Sequence, residues 1–195
     1  MDDYLALLHR VDAWYRRVQR AHPDKVTCTR GCRECCLGLF DITLADRALL
    51  RAGLATLDPA TRRDIEERSD ALLAQLRQWF PDLGDTLAGM TDDGIDEVSE
   101  WLGPVECPAL GRENECRLYA HRPLTCRLHG VPVVDRRGEA MHEEGCRKCR
   151  LTAAEAPRMD CDRLCRAEGA ILERRFGRRG DTPLLIPQAL ASRGR

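Results

Sequence analysis

Four cysteines within nine residues, Cys28-Thr-Arg-Gly-Cys32-Arg-Glu-Cys35-Cys36, constrain this chain more than any other feature in it. Seven more follow: Cys107, Cys116, Cys126, Cys146, Cys149, Cys161 and Cys165. Thiolates two or three residues apart can converge on one metal centre, because loops that short close at little entropic cost. Disulfides are the competing use. The chain opens Met1-Asp2-Asp3, acidic where a secretory signal is basic, and charges interrupt the apolar residues that follow. The expectation is therefore a cytoplasmic protein whose thiols are kept reduced. Eleven is also an odd number, which rules out a fully paired framework. Metal is the better explanation.

At 195 residues the chain suits one domain, or a small domain with appended helices. Only 5% of it is aromatic against 43% hydrophobic, so Leu, Ala, Val and Ile must build the core. No stretch approaches the roughly 20 apolar residues of a membrane span, so no membrane partner is expected. The net charge of -1 hides an uneven distribution. Residues 41–100 carry 6 basic and 14 acidic side chains, whereas 116–179 carry 15 basic and 9 acidic. That excess of cations marks an anionic partner or compensates the charge of metal-bound thiolates.

Apolar residues at three- and four-residue steps (Leu5, Leu8, Val11, Tyr15, Val18), widened by Leu7 and Trp14, predict an amphipathic helix over 3–21. His22-Pro23 ends it. A short helix over 45–52 is capped by Thr43 and stopped at Gly53. Asp58-Pro59 opens a long helix to about Phe80, with Ile65, Leu72, Leu73, Leu76 and Trp79 or Phe80 on its apolar face. Residues 81–100 read as an acidic linking loop with one short helical piece. Val131, Val133 and Val134 before Asp135-Arg136-Arg137-Gly138 suggest a hairpin over 128–141. A last helix covers 158–175, and a loose tail with Pro183, Pro187 and Gly194 follows. The fold class is thus mainly α with a small irregular or β-hairpin element. It comprises an N-terminal helix (1–25), a cysteine-cluster metal-binding domain (26–150, with a helical insert at about 43–100), and a C-terminal helix and tail (151–195).

Spacing gives each cysteine group a meaning. Zinc–thiolate bonds of about 2.3 Å require four sulfurs within about 4 Å of one another. Cys32 and Cys35 have a two-residue gap shared by zinc knuckles and iron–sulfur loops, and Gly31 offers the positive φ that a tight loop needs. Cys35 and Cys36, being adjacent, serve different centres or different edges of one. Cys146 and Cys149 repeat the two-residue gap, and Cys161 and Cys165 share one helix face. His129 and His142 are candidate imidazole ligands beside Cys126 and Cys146. Arg122 and Arg127 near Cys126 would stabilise thiolate anions. Tyr119, three residues past Cys116, shields the site or joins the core.

These motifs, with Ile42-Thr43, Cys107-Pro108-Ala109-Leu110, Cys116-Arg117-Leu118-Tyr119 and Arg122-Pro123-Leu124-Thr125-Cys126-Arg127, resemble the CxxCxxCC or YkgJ-type cysteine-cluster family, described as a zinc- or iron-chelating domain. The similarity covers about 26–150. It implies Cys28, Cys32, Cys35, Cys36, Cys107, Cys116 and Cys126 as metal ligands. The three-residue gap after Cys28 departs from the family's two. Flagellin lysine-N-methylases carry a similar cluster, where an iron–sulfur centre is expected. Eleven thiols suit two four-thiolate zinc sites, a [4Fe–4S] cluster plus zinc, or two clusters. The tight clustering favours [4Fe–4S] over zinc.

Three functions compete. The first is a metal-binding protein with a structural or electron-handling role, its first centre running from Cys28 to Cys126 and its second from Cys146 to Cys165. The second is a protein-modifying enzyme related to the flagellin methylases, although no glycine-rich loop for an adenosyl cofactor is present. The third is a metal-stabilised interaction module with a protein partner. Nucleic acid is disfavoured, since the basic region lacks zinc-finger spacing and interleaved aromatics.

Overall fold

The computed structural model describes residues 1–192 apart from 30, 39, 102–104, 136, 138, 140–145, 157–158 and 181. Helix α1 spans Asp2–Ala21, with Asp2 and Asp3 in its first turn and Arg20 in its last, each complementing the helix dipole. Two different partners cover it. Tyr4, Leu7, Leu8 and Val11 pack on Ala45, Leu49, Ile171 and Leu172. Trp14 and Val18 pack on Val26, Val131, Val133, Leu151 and Met159. The buried stripe is consequently turned toward Tyr4 and Trp14, and Leu5 and Tyr15 flank it.

Strand β1 (Asp41–Ile42) leads into α2 (Leu44–Thr56) through a capping box: Thr43 Oγ1 accepts from Asp46 N, and Asp46 Oδ2 accepts from Thr43 N. Gly53 does not stop this helix. It lies inside it, against the His121 ring, where a Cβ would stand 2.7 Å from His121 Cγ. Helix α3 (Pro59–Trp79) starts at an Asp58 cap whose carboxylate accepts from Ala60 N and Thr61 N. Its buried residues are Ile65, Ser69, Leu73 and Leu76, and Trp79 is exposed. The acidic stretch supplies α4 (Asp92–Trp101), whose Val98 packs with Leu83 and Leu87 against Leu73 and Leu76. Helix α5 (Leu124–Leu128) is little more than a turn, and α6 (Cys161–Phe176) lies across α1.

The expected loose tail is overturned. Leu184–Leu185 form β2, which pairs antiparallel with β1 in the register Asp41↔Leu185 and Ile42↔Leu184. Ile186–Leu190 form α7, buried throughout and packed on α2 and α3. Leu184, Leu185, Ala189 and Leu190 are fully buried because this segment closes two core clusters at once. The mainly helical class with a small β element stands, although its ribbon joins β1 to β2. In the expected hairpin region Val131, Val133 and Val134 are buried, and Asp135 turns the chain by accepting from Arg137 N and Glu139 N. Residues 136, 138 and 140–141 of that hairpin lie outside the described residues.

Candidate metal centre

Three segments with little regular structure bring five cysteines around one cavity. Cys35 and Cys36 sit on a single 3-10 turn, Glu34–Cys36, reached through Gly31 at φ +88°. The chain beyond pairs with the segment carrying Cys107: Cys107 N donates to Cys36 O at 2.8 Å, Gly38 N to Val105 O at 2.9 Å, and Leu37 bridges Glu106. A tight reversal then carries Cys116 back, with Leu110 bridging Cys116 and Arg117 N donating to Ala109 O at 3.0 Å. Helix α3 clamps the reversal. Arg68 donates to Leu110 O at 2.7 Å, and Arg117 pairs with Asp64 at 2.6 Å. Cys126 comes from α5. Cys35, Cys36, Cys107, Cys116 and Cys126 thus line a small cavity of about 20 Å³, with Leu50, Arg122 and Ile186 also in its wall.

The thiols act on one another. Cys36 lies within hydrogen-bonding reach of both the Cys35 and Cys116 sulfurs. Its donation, with Arg122 nearby, holds Cys35 down to about 6 and also lowers Cys116. Those two bonds and burial raise Cys36 itself. Burial pushes Cys107 up to about 12 and raises Cys126 strongly. Arg122 is held over the Tyr119 ring, its Cζ 3.8 Å from the centroid. Tyr119 is 62% exposed, so it neither joins the core nor covers the thiols; it positions this guanidinium. Arg127, expected beside the thiolates, does something else. Buried, it pairs with Asp12 of α1 and donates to Arg122 O at 2.9 Å and Ala120 O at 3.0 Å, bracing the loop that carries Arg122.

A second group of thiols forms elsewhere. Residues 25–27 pair with 148–150: Thr27 N donates to Lys148 O and Arg150 N to Lys25 O, both at 2.9 Å, and Val26 bridges Cys149. The pairing carries Cys28 to Cys146 and Cys149, whose own turn closes through Cys149 N donating to Cys146 O at 2.8 Å. Cys28 and Cys146 each feel the charge of Cys32, Cys28 also feels that of Cys35 across to the first group, and Tyr15 feels that of Cys28, Cys146 and Cys149. Burial raises Tyr15, Cys28, Cys146 and Cys149 alike. Gly130, at φ +96°, faces this group, and a Cβ there would stand 2.9 Å from Cys146 Sγ.

The sequence grouping is therefore redrawn. Cys28 and Cys32 stand with Cys146 and Cys149, while Cys35 and Cys36 share the other cavity. Cys161 is buried with Cys149 in the Trp14 cluster, and Cys165 is exposed. His129 packs on Phe40 with ring centroids 5.3 Å apart, and His142 lies outside the described residues. Tyr15, Gly130 and Ile186 escaped sequence reading. Tyr15 carries the periodicity of a packing helix, and neither of the other two belongs to a cysteine motif. Among the described residues no three His, Cys, Asp or Glu side chains stand at metal-ligating geometry. The sulfurs surround a space instead of meeting at a point.

A family model, CxxCxxCC, described as a "Putative zinc- or iron-chelating domain", matches residues 27–166. The chain belongs to the CxxCxxCC family. Both thiol groups fall inside the matched span. Comparison with curated proteins and with solved structures gives no match. No described helix is long and apolar enough to cross a membrane.

Proposed function

We propose that this CxxCxxCC chain holds two thiolate-bound metal ions with a structural role. One sits among Cys35, Cys36, Cys107, Cys116 and Cys126, the other among Cys28, Cys32, Cys146 and Cys149. The observation that carries the reading is the convergence of five thiols, from segments far apart in sequence, on one space of about 20 Å³. That space is about what one water needs. Four of its five sulfurs would complete the tetrahedral set of a single zinc or iron ion, which needs no inorganic sulfide.

The donor chemistry agrees. Arg122 Nε is buried without a hydrogen-bond partner among the described residues, a donor suited to an anionic thiolate set. Trp14 Nε1, in the cluster that holds Cys149, is in the same position. When bound, a closed thiolate-ligated ion supplies cross-linking of the chain, and such sites contribute directly to folding. The segment from Glu106 to Arg117 has no helix or named strand to stabilise it, so a cross-link there has the most to contribute.

Metal and acid-labile sulfide analysis of anaerobically purified protein tests this. Two ions per chain without sulfide are expected. Cys126→Ser should remove the first ion, Cys146→Ser the second, and Cys165→Ser neither. Sulfide in amounts matching iron, or a chain that binds no metal, would overturn the reading.

A further inference from the structure

A second cavity, a cleft of about 310 Å³, opens beside α5 and is lined by none of the cysteines. Its walls come from the β1–α2 junction (Ile42, Thr43, Asp46), from Leu124, and from Glu168 and Leu172 of α6. Asp41 adds a third carboxylate to the lining beside Asp46 and Glu168, and one hydroxyl bridges the latter two. Tyr4 Oη donates to Asp46 Oδ1 at 2.7 Å and stands 3.2 Å from Glu168 Oε1. A phenol has a single hydrogen, so it serves one of them at a time.

Asp46 is well provided for. Leu124 N donates to Oδ1 at 3.1 Å, and Thr43 N and Oγ1 donate to Oδ2, both at 3.2 Å. Among the described residues Glu168 has only the longer contact to Tyr4. The cleft lining includes no lysine, arginine or histidine among the described residues. Burial and the Asp46 charge raise Glu168 to about 7, and among the described residues the Tyr4 hydrogen bond, not a cation, opposes them.

The cavity is of small-molecule size, and a bare metal ion would leave most of it empty. Carboxylates in a described lining without a cationic side chain call for positive charge. Ile42, Leu124 and Leu172 offer a carbon chain an apolar wall. We propose that this cleft binds a protonated alkylamine, with the ammonium donating to Glu168 at the Asp46–Tyr4 end and the chain lying along Leu124 and Leu172. The site is independent of the metal reading, since it uses no thiol.

Calorimetric or NMR titration of the protein as purified, near pH 8, tests the proposal with matched pairs. The pairs are n-butylamine against 1-butanol, and Nα-acetyl-lysine amide against Nα-acetyl-norleucine amide. Saturable binding of an ammonium member, with its neutral partner about tenfold or more weaker, is expected. If n-butylamine alone binds, the ligand is a small free amine; if the lysine derivative binds better, it is an amine carried on a peptide. Glu168→Gln should weaken binding about tenfold with metal content unchanged. Thr182→Arg, which sets a guanidinium into the cleft and leaves Glu168 in place, should abolish it. Equal binding of amine and neutral partner, full affinity in both variants, or saturable binding by neither amine would overturn the proposal.

Discussion

At the scale of single residues, contact geometry outweighs local preference. Gly53 sits inside α2, where alanine is ordinarily better by about 1 kcal/mol. Here an added Cβ would lie 2.7 Å from His121 Cγ and 2.9 Å from its Cβ, atoms near the root of the side chain that cannot swing clear. Gly53→Ala should therefore lower the urea unfolding free energy by about 1–3 kcal/mol, opposite in sign to propensity. Glu168 invites a test of linkage. Burial pushes its carboxyl up to about 7 in the folded chain from an ordinary value of 4.5, so the native state binds more protons than the unfolded one between those pH values. Stability should accordingly fall as pH rises from about 4.5 to 7, by about 2 kcal/mol from this group. Urea titrations at pH 5 and 7.5 should show that fall shrinking by this amount in Glu168→Gln. Asp46 is raised in the same direction by burial and contributes to both proteins.

At the scale of elements, legibility followed length. Helices α1 and α3 run 20 and 21 residues, long enough for apolar spacing and end signals to agree. The Asp58-Pro59 start and the Thr43 cap stand where their chemistry places them. Strand β2 and helix α7 have two and five residues, too short for any period, and Pro183 and Pro187 read as breakers. Yet Pro187 occupies the first turn of α7, where its missing N–H costs nothing. The usable signal was the unbroken apolar run Leu184-Leu185-Ile186. Which cysteines share a centre was illegible for another reason. Spacing within a motif limits local reach, but Cys28 meets Cys146 through backbone pairing of 25–27 with 148–150, a contact no spacing encodes. Leu185→Ala should cost about 2–5 kcal/mol in chemical denaturation, given its complete burial. A chain ended after Pro183 should lose its cooperative thermal transition.

For the whole molecule, the thiol sites and the core are one structure. Cys36, Cys107 and Cys126 belong to the same packed cluster as Leu54, Ile65 and Leu190, so metal binding and folding must be linked. Chelation should lower the thermal midpoint, read by circular dichroism before and after treatment. Loading should also release protons. Cys107 and Cys126 are thiols at pH 7.5 in the unloaded chain, whereas Cys35 is already largely ionised. Calorimetry in two buffers of different ionisation enthalpy should then give fewer protons than the number of sulfurs bound at that cavity. Ile186 stands in the wall of the cavity whose five cysteines run from Cys35 to Cys126. A polypeptide emerges from the ribosome N-terminus first, so all five sulfurs reach solvent before the residue that helps enclose them. Until 184–190 are synthesised the pocket lacks its C-terminal wall. The order of synthesis therefore gives the growing chain an interval in which this centre is open to both metal and oxidant.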